Sequence, residues 1–159
     1  MKKLSLFLLT ALPSAMAFAG SHSVPFAIPG NQYCGGGHSS DMSISVSNLS
    51  SHEATIKLDL YGESGNKVNA EGTANSGIQS NIIPGTEMTI APYTTVHYHK
   101  GYGSFNNAPT DCDRAYRGEL TNLDTDAQII ASGWISGFAG NGQYYRSGST
   151  IVINNGQKF

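Results

Sequence analysis

The chain has 159 residues, and 9 basic against 11 acidic side chains give it a formal net charge of -2 at pH 7. Charged residues make up only 13% of the sequence and form no basic stripe, which argues against a nucleic-acid partner. The 19 glycines, with abundant serine, threonine and asparagine, favour strands and turns over helices.

The N-terminal stretch MKKLSLFLLTALPSAMAFA has the order of a secretory signal peptide. Two lysines precede a short apolar stretch, and alternating alanines of the A-x-A type follow it. The apolar stretch is shorter than the roughly 20 residues that span a bilayer. We therefore predict a cleaved signal peptide over 1–19 and a single domain over 20–159. We expect the mature protein to be periplasmic or secreted and to have no transmembrane segment.

The two cysteines, Cys34 and Cys112, are far apart in the sequence. An exported protein meets an oxidising environment, in which two lone cysteines are expected to pair. We predict one disulfide between them. It would close a loop of roughly 80 residues and stabilise the fold by about 4–5 kcal/mol in the loop-entropy model.

The stretch CGGGHSSD (34–41) matches neither a phosphate-binding loop nor a nucleophile turn. A phosphate loop leads into a helix and usually carries a lysine, whereas here the following residues alternate as in a strand. A nucleophile elbow has the form G-x-S-x-G, and GHSSD lacks the last glycine. The carboxylates of the chain lie in turn-like stretches without catalytic spacing. We therefore predict a protein that is not an enzyme and uses no cofactor.

Apolar and polar residues alternate in several short stretches. MSISVSN (42–48) has its apolar side chains on one face and serines on the other, and TIKLDLYG (55–62) shows the same period of two. Further strands are predicted in IQSNIIPG, EMTIAP, YTTVHYHK, RAYRGELTNL, AQIIASGWISG and QYYRSGSTIVIN. The pattern predicts an all-β fold, an antiparallel two-sheet immunoglobulin-like sandwich of about eight strands with one disulfide.

One internal similarity is visible between SNLSSHEATIKLDLYG (47–62) and TNLDTDAQIIASGWI (121–135). With a gap of one residue, the two N-L pairs align and Tyr61 aligns with Trp134. Two copies do not make a repeat array, so we interpret them as two equivalent strand-turn-strand corners.

The first corner, followed by TEMTIAPYTTV, resembles the small immunoglobulin-like β-sandwich modules of secreted bacterial proteins over about residues 42–98. The resemblance implies a fold and a compartment. It transfers no catalytic residue, because a fold does not determine a function.

His97 and His99 are two residues apart in a predicted strand and should point to the same face. The alternation places Val96 and Tyr98 inward, so we expect both histidines to face solvent. They could form half of a zinc or copper site, but His22, His38 and His52 are distant in sequence, and a site needs three or four ligands. The alternative is two solvated histidines that bind nothing.

The aromatic residues offer a second candidate site. Outward rings of Trp134, Tyr61, Tyr144 and Tyr145 could stack on sugars, while neighbouring polar groups donate and accept hydrogen bonds. The alternative is that Trp134 is covered by the core or a loop. We expect the covered arrangement, because Ile130 shares the face of Trp134 and an exposed pair would be costly.

These observations favour a structural or interaction role at the bacterial cell surface, with a protein or a polysaccharide as partner. A fimbrial-like subunit belongs to this class, although the tail STIVINNGQKF lacks the near-terminal tyrosine of such subunits. Two alternatives remain: a carbohydrate-binding module that uses exposed aromatics, and a periplasmic metal-binding protein that uses His97 and His99.

Overall fold

The structure is a computed structural model that describes residues 22–30, 38–69, 71–73, 78–103, 114–140 and 144–159. The side chains of 138–140 and 144–146 are outside this description. The predicted signal peptide and both Cys34 and Cys112 also lie outside it. Cleavage and the disulfide therefore stay predictions, and both are tested by the mass of the secreted, non-reduced protein.

The described residues form two antiparallel four-stranded sheets and almost no helix. The strands are β1 (His22–Ala27), β2 (His38–Asn48), β3 (Ala54–Tyr61), β4 (Glu87–Ile90), β5 (Thr95–Gly103), β6 (Arg117–Asn122), β7 (Ile129–Gly140) and β8 (Tyr144–Val152), followed by a 3₁₀ turn (Asn154–Gly156). The first sheet has the order β1-β6-β3-β4 and the second β5-β2-β7-β8. The predicted all-β class and strand number are confirmed. No helix in these ranges is long and apolar enough to cross a membrane.

The expected immunoglobulin-like arrangement is not confirmed. In immunoglobulin domains the first strand pairs with the second, whereas β1 pairs with β6 and β2 pairs with β5 and β7. The sequence reading also missed β1, because Pro25 stands in its middle. Proline is tolerated at the edge of a sheet, and β1 is such an edge. The predicted strand over 78–85 is instead irregular chain with one isolated bridge residue.

Both sheets contribute to one hydrophobic core. The alternation in β2 buries Met42, Ile44 and Val46, and the alternation in β3 buries Ile56 and Leu58, all at 0% exposure. The intervening serines of β2 point away from the core. The period of two read from the sequence therefore assigns the two faces of these strands correctly.

A buried asparagine ends β2 and holds the turn that follows it. Asn48 is 1% exposed. Its Oδ1 accepts the backbone N–H of Ser50 at 2.8 Å, and its Nδ2 donates to the carbonyls of His52 at 2.7 Å and Ile90 at 3.2 Å. Its Nδ2 also donates to the carbonyl of Ala91 at 3.3 Å. One side chain thus satisfies four backbone groups where the chain leaves the second sheet for the first.

A second buried asparagine repeats this arrangement at the end of β6. Asn122 is also 1% exposed. Its Oδ1 accepts the N–H of Asp124 at 3.2 Å, and its Nδ2 donates to the carbonyls of Ala127 at 3.0 Å and Phe159 at 3.2 Å. Here the chain leaves the first sheet for the second.

The residues after each asparagine tie the turn to the neighbouring strand. Leu49 N–H donates to Gln128 O at 2.8 Å, and Ser50 Oγ accepts the N–H of Gln128 at 2.6 Å. At the other corner, Leu123 N–H donates to Thr55 O at 2.8 Å. Asp124 Oδ2 accepts the N–H of Thr55. The shared N-L-[S/D] pattern therefore has a physical cause, and the two predicted corners are confirmed as equivalent.

The corners relate the two sheets by an approximate two-fold symmetry. Asn48 lies opposite Ile129 in the β2–β7 pair, and Asn122 lies opposite Ile56 in the β6–β3 pair. Strands β1, β6, β3 and β4 thus correspond in order to β5, β2, β7 and β8. Positions in the paired parts of β3 and β6 consequently have counterparts in β7 and β2.

We predict that Asn48→Ala and Asn122→Ala each lower the free energy of unfolding by about 2–3 kcal/mol, because each leaves buried backbone groups without partners. Urea denaturation measures both. The control is Asn81→Ala, since Asn81 is exposed and bonds to His97 through its backbone N–H. A loss below about 0.5 kcal/mol at either corner, the range of ordinary surface substitutions, would contradict this account.

Candidate binding face of the second sheet

The outer face of the second sheet is a polar surface that carries the tryptophan. We call it the Trp134 face. Its members alternate with core residues along β2, β5 and β7. They are Asp41, Ser43, Ser45, Ser47, His97, His99, Ile130, Ser132 and Trp134.

The Trp134 side chain is 40% exposed, so the expectation that it is covered is wrong. The alternation along β7 nevertheless predicts the direction of this side chain correctly, because Ile129 and Ile135 are buried in the core and Trp134 points to the opposite face. Its neighbours across the sheet are Ser43 on β2 and Thr150 on β8. Both side chains are small and leave much of the indole open to solvent.

His99 lies on the Trp134 face but is only 2% exposed, so the expectation of a solvent-facing side chain is wrong for this residue. The cause is a strap of residues 71–73 and 78–82 along the free edge of β5. His99 Nδ1 lies 2.9 Å from Thr73 O, and Thr73 N–H donates to His99 O at 2.7 Å. His97 is half-buried, and its Nδ1 lies 3.0 Å from Ser45 Oγ.

The strap closes the edge of β5. Asn81 N–H donates to His97 O at 2.7 Å, and His99 N–H donates to Ser80 Oγ at 3.2 Å. The strap is tight where it passes Gly72, because a Cβ there would lie 1.7 Å from Ser80 Oγ. The backbone groups that another strand would need are therefore partly occupied.

The two histidines do share a face, but the Nδ1 atom of each already has a contact within the protein. The nearest carboxylate is Asp41, whose Oδ1 lies 4.0 Å from His99 Nε2. Among the described residues, no group of three or more histidine, cysteine, aspartate or glutamate side chains could hold a metal ion. The metal interpretation therefore finds no third ligand in that part of the chain.

Asp41 and Trp134 approach His99 from neighbouring strands. The His99 and Trp134 ring centroids are 6.3 Å apart with an interplanar angle of 57°. The Asp41 side chain is 39% exposed, whereas the His99 side chain is 2% exposed. A carboxylate is thus open to solvent in the same part of the face as the indole.

A cavity of about 310 Å³ opens on the same face. It is lined by Ser45, Ser47, Ile130, Ala131, Ser132 and Gly156. Sequence reasoning did not identify this cavity. The serines that recur at every second position of SISVS were the available signal, because they place a row of hydroxyls on one face of β2.

The first sheet has an aromatic residue at the position equivalent to Trp134, but this residue is half-buried. Tyr61 lies opposite Arg117 just as Trp134 lies opposite Ser43. The Arg117 guanidinium lies 4.1 Å from the centroid of the Tyr61 ring, within cation–π distance. Tyr61 and Trp134 belong to different sheets, so the structure does not bring these two predicted ligand residues together.

Beside Tyr61, the outer face of the first sheet carries an ion-pair cluster. Burial disfavours the ionised form of Asp59. The hydrogen bond from Lys67 Nζ at 2.8 Å and the charges of Lys57 and Lys67 outweigh this effect and lower the pKa of Asp59 below its usual value. Asp59 thus pairs with Lys57 and Lys67 within the protein, so these charges are less available to bind a ligand.

Tyr144 and Tyr145 lie in β8, opposite Gly140 and Ala139. Their side chains fall outside the described part of the structure, so their predicted ligand role stays a prediction. Of the two proposed aromatics whose side chains are described, Tyr61 and Trp134, the structure places Trp134 on an open, polar face.

Comparisons with known proteins leave the family open. No family model matches the chain, and no curated protein matches it. Among solved structures, one described as "Crystal Structure of Thermotoga maritima 1070" is similar, with 14% sequence identity and a TM-score of 0.42. The match covers 84% of this chain and 94% of that one. A likeness at this level is too weak to bear on function.

We predict different effects for the two histidines. His99→Ala should lower the free energy of unfolding by about 1–3 kcal/mol, because the buried ring leaves and Thr73 O loses its contact. His97→Ala should change it by less than about 0.5 kcal/mol, as for a surface site. Urea denaturation followed by fluorescence distinguishes them. Equal effects would show that the strap does not depend on His99.

Proposed function

We propose that the mature chain is an exported, non-enzymatic β-sandwich module that binds a partner at the bacterial cell surface through the Trp134 face. The N-terminal sequence supports export, since it has the order of a secretory signal peptide. Trp134, exposed among small polar side chains, supports binding, because aromatic anchors are the residues that most often dominate an interface.

The contrast between the two sheets carries this proposal. The symmetry puts Tyr61 and Trp134 at equivalent positions, and the cross-strand neighbour decides their exposure. Arg117 lies over the ring of Tyr61, which is half-buried, whereas Ser43 leaves Trp134 40% exposed. A long side chain at the cross-strand position can therefore lie over the aromatic ring, as Arg117 does in the first sheet. The second sheet has the short side chain of Ser43 at that position.

The Ser45–His97 contact needs separate consideration, because a serine beside a histidine is the usual pair in nucleophilic catalysis. Ser45 lies in the middle of β2 and is paired on both sides, with His97 in β5 and Ser132 in β7. The backbone N–H groups around it belong to the ladders and cannot form an oxyanion hole. This supports a non-enzymatic role for the face.

The C-terminal tail is folded into the protein's own sheets. Phe159 and Ile129 exchange two backbone hydrogen bonds, each of 3.0 Å. Asn122 Nδ2 also donates to Phe159 O at 3.2 Å. The tail's backbone groups are thus paired within the protein itself, and the proposal does not include donation of this tail to a neighbouring subunit.

Cosedimentation of the mature protein with cell-envelope fragments of the producing bacterium tests the proposal. We expect the wild type to bind and Trp134→Ala to lose affinity by about tenfold or more, since a central tryptophan commonly carries 2 kcal/mol or more.

The matched control is Tyr93→Ala, which removes another exposed aromatic (72%) from the turn between β4 and β5. It should bind as the wild type does. Absence of binding by the wild type, or equal binding by all three proteins, would refute the proposal.

A further inference from the structure

Two features of different chemistry lie side by side on the Trp134 face. One is the exposed indole, and the other is the cavity of about 310 Å³ with three serines in its wall. Ser132 belongs to the cavity and is two residues from Trp134 along β7, a distance of about 7 Å in an extended strand. A ligand stacked on the indole therefore reaches the cavity within one or two sugar-sized units.

The chemistry of these features fits a pyranose chain. One side of a pyranose ring presents C–H groups, which pack on an aromatic face, and its rim presents hydroxyls, which both donate and accept hydrogen bonds. Serine hydroxyls also do both. Ser45 Oγ is already in contact with His97 Nδ1, and Ser47 Oγ lies 2.8 Å from Thr95 Oγ1, so their orientations are held before a ligand arrives.

The charge of the face selects among saccharides. Among its described side chains, Asp41 is the one carboxylate and none is a lysine or an arginine. Uronate, sulfated or phosphorylated polymers would meet this carboxylate without a cation to pair with. A neutral chain avoids that repulsion, and a carboxylate accepts hydrogen bonds from sugar hydroxyls.

A peptide added as a further strand is a poorer fit. Strand addition needs a free sheet edge, and the strap occupies backbone groups of β5, one of the two edge strands of this sheet. The indole and the cavity lie on the surface of the sheet rather than at its edge.

We infer that the Trp134 face binds a neutral polysaccharide, with one pyranose ring stacked on Trp134 and the adjoining sugar held by the serines of the cavity. This inference rests on the proposed function, because it names the partner that the same face would bind.

The test is calorimetric titration of the mature protein with neutral glucose hexasaccharides of β-1,3, β-1,4 and α-1,4 linkage. An acidic hexagalacturonate serves for comparison. We expect at least one neutral hexasaccharide to bind, the acidic one to bind at least tenfold more weakly, and the corresponding monosaccharide to bind far more weakly than the hexasaccharide.

Two substitutions separate the subsites. Trp134→Ala should abolish binding, and Ser132→Val should weaken it severalfold. The control for the second is Thr121→Val, which removes a hydroxyl from the outer face of the first sheet and should leave binding unchanged.

Three results would overturn the inference. If envelope binding depends on Trp134 but no neutral hexasaccharide binds, the function stands and the ligand is not a neutral glycan. If neither envelope binding nor hexasaccharide binding depends on Trp134, both proposals fail. If sedimentation shows a dimer that Trp134→Ala dissociates, the face is occupied by a second copy of the chain.

Discussion

The fold depends on how the chain crosses from one sheet to the other without leaving buried backbone groups unpaired. At each crossing a strand ends, its ladder of hydrogen bonds stops, and the turn lies against the core. Asn48 and Asn122 solve this problem in the same way: each accepts one N–H, and Asn48 donates to three carbonyls and Asn122 to two. An unpaired buried group costs about 1–3 kcal/mol, so each asparagine is worth more than an ordinary surface contact.

The symmetry created by the two corners explains why the outer faces can be compared residue by residue. Such a comparison shows where the two halves differ. On the first sheet, Arg117 lies over the ring of Tyr61 and lysines pair with Asp59. On the second sheet, Ser43 and Ser132 stand at the positions equivalent to Arg117 and Asp59, and Trp134 stays open. The candidate site is therefore the half of a symmetric fold in which the covering side chain is absent.

The sequence predicted what depends on local periodicity and missed what depends on neighbours distant in the chain. Alternation identified the core faces of β2 and β3, and the repeated N-L pair located both corners. It could not reveal that 71–73 and 78–82 lie along β5 and cover His99, because these stretches have no alternation. The exposure of Trp134 depends on the size of Ser43 and Thr150, which become its neighbours only through the strand register.

The central claim is that Trp134 stands open on a polar face, and acrylamide quenching of its fluorescence tests this most directly because it is the protein's one tryptophan. We predict red-shifted emission that acrylamide quenches readily in the free mature protein, as expected for a side chain 40% exposed. Blue-shifted emission with poor quenching would show that the indole is covered and would contradict the account.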